Sequence, residues 1–95
     1  MFSVKIEGLE KVQRELEELG DAVRALDGTL CDLRFDPSDA DSVRDAIAQM
    51  EKAVDAKTAR WRNNSAVREI AQRSKERFRE AILDRASTAR RPETE

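Results

Sequence analysis

Between residues 9 and 26 the apolar side chains are Leu9, Val12, Leu16, Leu19, Val23 and Leu26, a 3-4-3-4-3 spacing. That interval matches an α-helix and no strand, and it lays one apolar stripe along the helix. Asp27-Gly28 closes the segment, with Gly28 suited to the left-handed position after a helix end. Glu10 and Arg14 stand four apart as a supporting pair. Gly20 weakens the helix by about 1 kcal/mol relative to Ala. A heptad stripe suits a coiled-coil dimer, but its flanking positions are Gly8, Gln13, Glu15, Gly20, Ala22 and Asp27. These hold no complementary set of charges, so the stripe is assigned to packing within the chain.

The segments on either side read differently. In FSVKIE, Phe2, Val4 and Ile6 alternate with Ser3, Lys5 and Glu7, the pattern of a half-buried strand, and Gly8 then permits a turn. TLCDLRF alternates again, with Cys31, Leu33 and Phe35 on one face. Two later stripes are helical. Val43, Ala46, Ile47, Met50, Ala53, Val54 and Trp61 mark a helix over about 40–61, and Val67, Ile70, Ala71, Phe78, Ala81 and Ile82 mark one over about 65–87. The polar WRNNS between them makes an antiparallel hairpin, with Asn64 or Ser65 as cap. The expected fold is α+β and mostly helical: strand, helix and strand over 1–35, then a helix hairpin over 36–86. Residues 1–86 form one small domain, and 87–95, where the periodicity ends, read as a disordered tail.

Composition narrows the chemistry. The chain has no histidine and one cysteine, Cys31. Histidine triads, histidine metal sites, cysteine zinc clusters and internal disulfides are excluded. No catalytic constellation, cofactor or metal is expected, and carboxylate pairs such as Glu17 with Asp21 read as solvated acids. The first ten residues contain acids and no apolar run, so no signal peptide is expected, and no membrane span. Charge is uneven. Residues 1–55 carry 7 Lys and Arg against 14 Asp and Glu, and residues 56–95 carry 11 against 6. Acidic and basic parts facing each other within one fold, or between copies, or a basic part touching nucleic acid, are the three readings.

The stretch DLRFDPSDADSVRD raises a calcium loop. An EF-hand needs Gly at its sixth position and Glu at its twelfth. Counted from Asp36 these are Asp41 and Ile47, and from Asp39 they are Arg44 and Met50. Both registers fail. The residues fit a Pro37 turn and an Asp39 cap, with Asp41 in the first turn where negative charge suits the helix dipole. In the third helix Glu69, Glu76, Glu80 and Asp84 interrupt the arginines, which argues for a solvated face over a nucleic-acid surface.

FSVKIEGLEKVQRELEELGDAV, at the head of a stretch over residues 2–26, resembles the N-terminus of small minor tail and head–tail joining proteins of tailed bacteriophages. LDG, FDPSDADSV and the hairpin are similar to short prophage-encoded proteins. The resemblance implies a non-enzymatic phage or prophage protein that works by protein–protein contact, as a virion or assembly component. Its place would be the bacterial host cytoplasm or the virion, and its partner itself, as a homo-oligomer, or another phage or host protein. The alternatives are an accessory protein that inhibits or sequesters a host factor, and a basic-helix nucleic-acid binder. The expected contact residues are Phe2, Val4 and Ile6 along a strand edge and Trp61 and Phe78 as anchors. Asp39 and Asp41 would form an acidic patch for the basic helix of a neighbouring copy.

Overall fold

The structure, a computed structural model, describes residues 2–30 and 32–90, with the side chains of residues 8–30 and 32–89. Three helices follow in order: α1 (Phe2–Leu26), α2 (Ala40–Thr58) and α3 (Ser65–Arg90). A single 3-10 turn (Ala59–Trp61) continues α2. No strand occurs among the described residues.

The α+β expectation is therefore corrected to all-α. Residues 2–7, read as a strand, are the first turns of α1. Phe2, Ile6 and Leu9 also stand at i, i+4 and i+7, so the segment satisfies a helix as well as a strand. A helix satisfies its own backbone groups, whereas a lone strand needs a neighbour, and the described residues offer none. Gly8 is an interior helical residue, and Gly28, with φ of 82°, is the one glycine on the positive-φ side.

The second expected strand is a loop. Asp32 N–H donates to the Gly28 carbonyl and Leu33 N–H to the Leu30 carbonyl, each at 3.2 Å, which folds the backbone into local turns. Leu33 and Phe35 still pack on the core while Arg34 and Asp36 are exposed. The alternation reports one-sided burial and not a ladder. Cys31 lies outside the described residues.

α2 and α3 form the hairpin, and its two ends show the antiparallel sense. Val43 and Ile47 line one cleft with Leu83 and Ala86, and Thr58 lines another with Val67 and Ala71. Asp39 caps α2, its Oδ1 accepting from Asp41 N–H at 3.0 Å. α3 continues to Arg90, so Ser87–Arg90 of the expected tail are helical, and residues 91–95 lie outside the described residues. The core consists of Leu26, Val43, Ala46, Met50, Val54, Ala71, Ile82 and Ala86, with Leu30, Leu33, Phe35, Ile47 and Phe78 around it. Only Leu26 of the α1 heptad stripe belongs to its buried set.

The molecule is long, at 71 × 25 × 16 Å, with a radius of gyration of 18.3 Å. A compact domain of this length has a radius of about 12 Å. The hairpin tip meets α1 at Glu15 and Glu18, and every residue from Gly8 to Arg14 is exposed. The N-terminal turns of α1 therefore overhang the hairpin.

Candidate interaction surface

Asn64 fixes where α1 lies. Its side-chain oxygen accepts from Ala66 N–H at 3.0 Å and Val67 N–H at 3.2 Å, which starts α3. Its amide nitrogen donates to the Glu15 carbonyl at 3.1 Å and to Glu18 Oε1 at 3.0 Å. An Asn whose four hydrogen-bonding directions are all used is held in one rotamer, so one buried side chain both caps α3 and ties it to α1. At the other end of α1, Thr29 Oγ1 donates to the Leu26 carbonyl at 2.7 Å and accepts from Lys57 Nζ at 3.1 Å.

These ties orient α1 about its own axis. Its face toward the hairpin carries Glu15, Leu19, Ala22 and Leu26, all buried or half-buried. The heptad stripe shares Leu19 and Leu26 with this face but is centred about 60° further round the helix. Leu16 and Val23 are thereby 61 and 48% exposed, while Leu9 and Val12, on the overhang where every residue is exposed, are 62 and 51% exposed. The expectation that this stripe packs within the chain holds for Leu19 and Leu26 and fails for those four. Apolar spacing identifies a stripe, but the polar ties of Asn64 decide which way it turns.

Beside the stripe, between α1 and α3, runs an open groove of about 400 Å³. Val23 and Leu26 form one wall, and Ile70, Ser74 and Phe78 the other, with Arg77 at its rim. Stripe and groove adjoin at Val23, and Arg24 and Asp27 line the groove on the same side.

The expected contact residues fall in separate places. Phe2, Val4 and Ile6 are on helical backbone, which removes the strand edge, and their side chains lie outside the described residues. Trp61 is half-buried where α1 crosses the hairpin tip, between clefts shared with Glu15 and Glu18 and with Asp21 and Lys57. The Arg60 guanidinium lies 5.2 Å from its ring centre. Phe78 packs on the core and faces the groove. Asp39 and Asp41 are exposed at the start of α2, with Asp41 3.5 Å from Arg44. Asp36 Oδ1 accepts from the Ser38 hydroxyl at 2.7 Å and the Ser38 N–H at 3.0 Å. These bonds hold its carboxyl below the usual aspartate value.

The basic half is engaged piecemeal. Lys75 bridges to Asp55 at 2.7 Å, joining α3 to α2. Arg73 pairs with Glu69 on its own helix, and Arg68 donates to the Arg62 carbonyl. The Arg85 guanidinium lies 5.1 Å from the Phe35 ring centre. No helix of the described residues is long and apolar enough to cross a membrane. Among the described residues no cluster of acidic, His or Cys side chains is arranged to hold a metal ion.

The chain belongs to the YuaX family, whose model matches residues 6–93. It is similar to the uncharacterized protein YuaX of Escherichia coli (strain K12), at 38% identity over 89 residues, covering 94% of this chain and 92% of that relative. No solved structure matches it.

Proposed function

We propose that the chain works by protein–protein contact, as a non-enzymatic component of an assembly, and that α1 presents the contact surface. One observation carries this reading: four large apolar residues of one helical stripe face water. Single exposed apolar residues need no explanation, but a contiguous stripe beside an apolar groove is the mark of an interaction site. Burying such side chains contributes about 1.5–3 kcal/mol each when complete. The hairpin supports the stripe by holding α1 through Asn64, Ala22 and Leu26.

The tail-protein resemblance reads residues 2–26 as a strand and then a helix; these residues are helix throughout, and protein–protein contact is the part of that reading proposed for this chain. A photo-reactive residue in place of Leu16, in the full chain expressed in its own host, tests the contact. The expected result is a crosslinked protein adduct identified by mass spectrometry, absent when the same residue replaces Gln49 on the exposed face of α2. No adduct at Leu16 would remove the reading.

A further inference from the structure

The α1 stripe is a palindrome. Read from either end it is Leu, Val, Leu, Leu, Val, Leu, at spacings of 3, 4, 3, 4 and 3. We propose that two copies of the chain pair through α1 in antiparallel fashion, which rests on the contact reading above and names its partner. Inverting one copy about the point between Glu17 and Glu18 sets Leu9 against the second copy's Leu26. Val12 then meets Val23, and Leu16 meets Leu19. A two-fold axis makes each of these contacts twice, so all six stripe positions are matched by apolar side chains of like kind.

Exposure selects this sense over the parallel one. Leu9, Val12 and Leu16 are bare, whereas Leu26 is buried and Leu19 half-buried under their own hairpin. Inversion lays the bare half of each helix over the groove of the other copy, so that Leu9 covers the space lined by Val23, Leu26, Ile70 and Phe78. Parallel pairing would set Leu26 against an equally covered Leu26 and leave both grooves open. The overhang of α1 beyond the hairpin tip has the same explanation: each overhang lies along the other copy's hairpin, and the two hairpins occupy opposite ends.

The flanking residues hold no complementary charges, but they do not oppose an identical partner. On the open side of the stripe, inversion brings Gln13 beside Gly20 of the second copy, so no two like charges meet there. Gly20 is not required by the fold of the single chain, since an added Cβ would meet only Arg24 Nη1 at 3.8 Å. A helical glycine beside an apolar stripe lets a neighbouring backbone come close.

Light scattering on the intact chain is expected to give twice the 10.8 kDa chain mass. Leu16→Ser, and independently Val12→Ser, should return the monomer with helicity unchanged, because both side chains are exposed in the single chain. The sense is read in a Cys31→Ser background. Val12→Cys mixed with Val23→Cys should form a mixed disulfide, because cysteines bond only at Cα separations of about 4.4–6.8 Å. Val12→Cys alone should not, because inversion separates the two copies of that residue by about 16 Å along the axis. A monomer at every concentration overturns the proposal. A Val12→Cys homodisulfide, or a dimer without the mixed disulfide, overturns the antiparallel arrangement. A monomer whose Leu16 crosslinks to a different protein overturns the pairing while leaving the contact reading standing.

Discussion

Asn64 and Glu15, 49 positions apart in the chain, are joined at 3.1 Å by a hydrogen bond from the Asn64 amide to the Glu15 carbonyl. The same side chain caps α3, so one residue carries two separable contributions. Asn64→Ser keeps a capping oxygen and is too short to reach α1. Asn64→Ala loses both. The Ala variant should lose about 2 kcal/mol of stability, from a lost cap of about 1 kcal/mol and buried amide bonds of similar size. The Ser variant should lose about half as much. Urea unfolding measures the totals. Hydrogen exchange distinguishes their origin, since the Ser variant should speed exchange in α1 and leave the first turn of α3 protected.

Two glycines give opposite predictions for one substitution. Gly28 sits at φ 82°, where a side chain strains the backbone, so Gly28→Ala should cost about 1 kcal/mol. Gly20 is helical with free space for a Cβ, so Gly20→Ala should add about 0.5–1 kcal/mol to the single chain. Thermal unfolding of the two variants in a Leu16→Ser background, where α1 pairing is removed, compares them on the monomer.

Local chemistry that depends on one or two residues is legible in the sequence: the Gly28 stop, the Asp39 and Asn64 caps, and the apolar stripes of α2 and α3. Two things are not. Alternation in FSVKIE and TLCDLRF is shared by strands, helix starts and one-sided loops, and only a partner ladder separates them. The direction of the α1 stripe depends on contacts 46 and 49 positions away, from Asn64 to Glu18 and Glu15. Periodicity within a helix holds no information about them. The exposed surface of α1 is therefore visible in the sequence as a stripe, and reads there as core.

Asp36 sets a pH dependence. Its carboxyl is lowered first by the Ser38 hydroxyl and then by the Ser38 N–H. A group depressed in the folded state contributes stability above its unfolded value and loses it as pH falls through the folded one. The stability difference between the native chain and Asp36→Asn should thus be constant near neutrality and shrink as pH falls below the ordinary aspartate value. Urea midpoints from about pH 7 to about 2.5 check this. A difference that grows on acidification would contradict the assigned bonds.

Ala22 and Val23 are neighbours in sequence with opposite surroundings, Ala22 fully buried against the hairpin and Val23 half in water. Substitutions there separate folding from association. Ala22→Leu adds three carbons where no space exists, and overpacking of this kind costs about 1–3 kcal/mol. Its cost should appear as lower stability and faster exchange along α1. Val23→Ser loses only the half-buried part of a side chain at the groove edge and should cost the single chain about 1 kcal/mol, less than Ala22→Leu at its worst. It should also raise the concentration at which the light-scattering mass doubles. Asp39→Asn with Asp41→Asn gives the comparison for an electrostatic contact. Asn still caps α2, and neither position lines the α1 groove, so association through the stripe should be unmoved at any salt concentration. If that double variant weakens association and Val23→Ser does not, the contact lies at the acidic start of α2 and the apolar stripe is not its site.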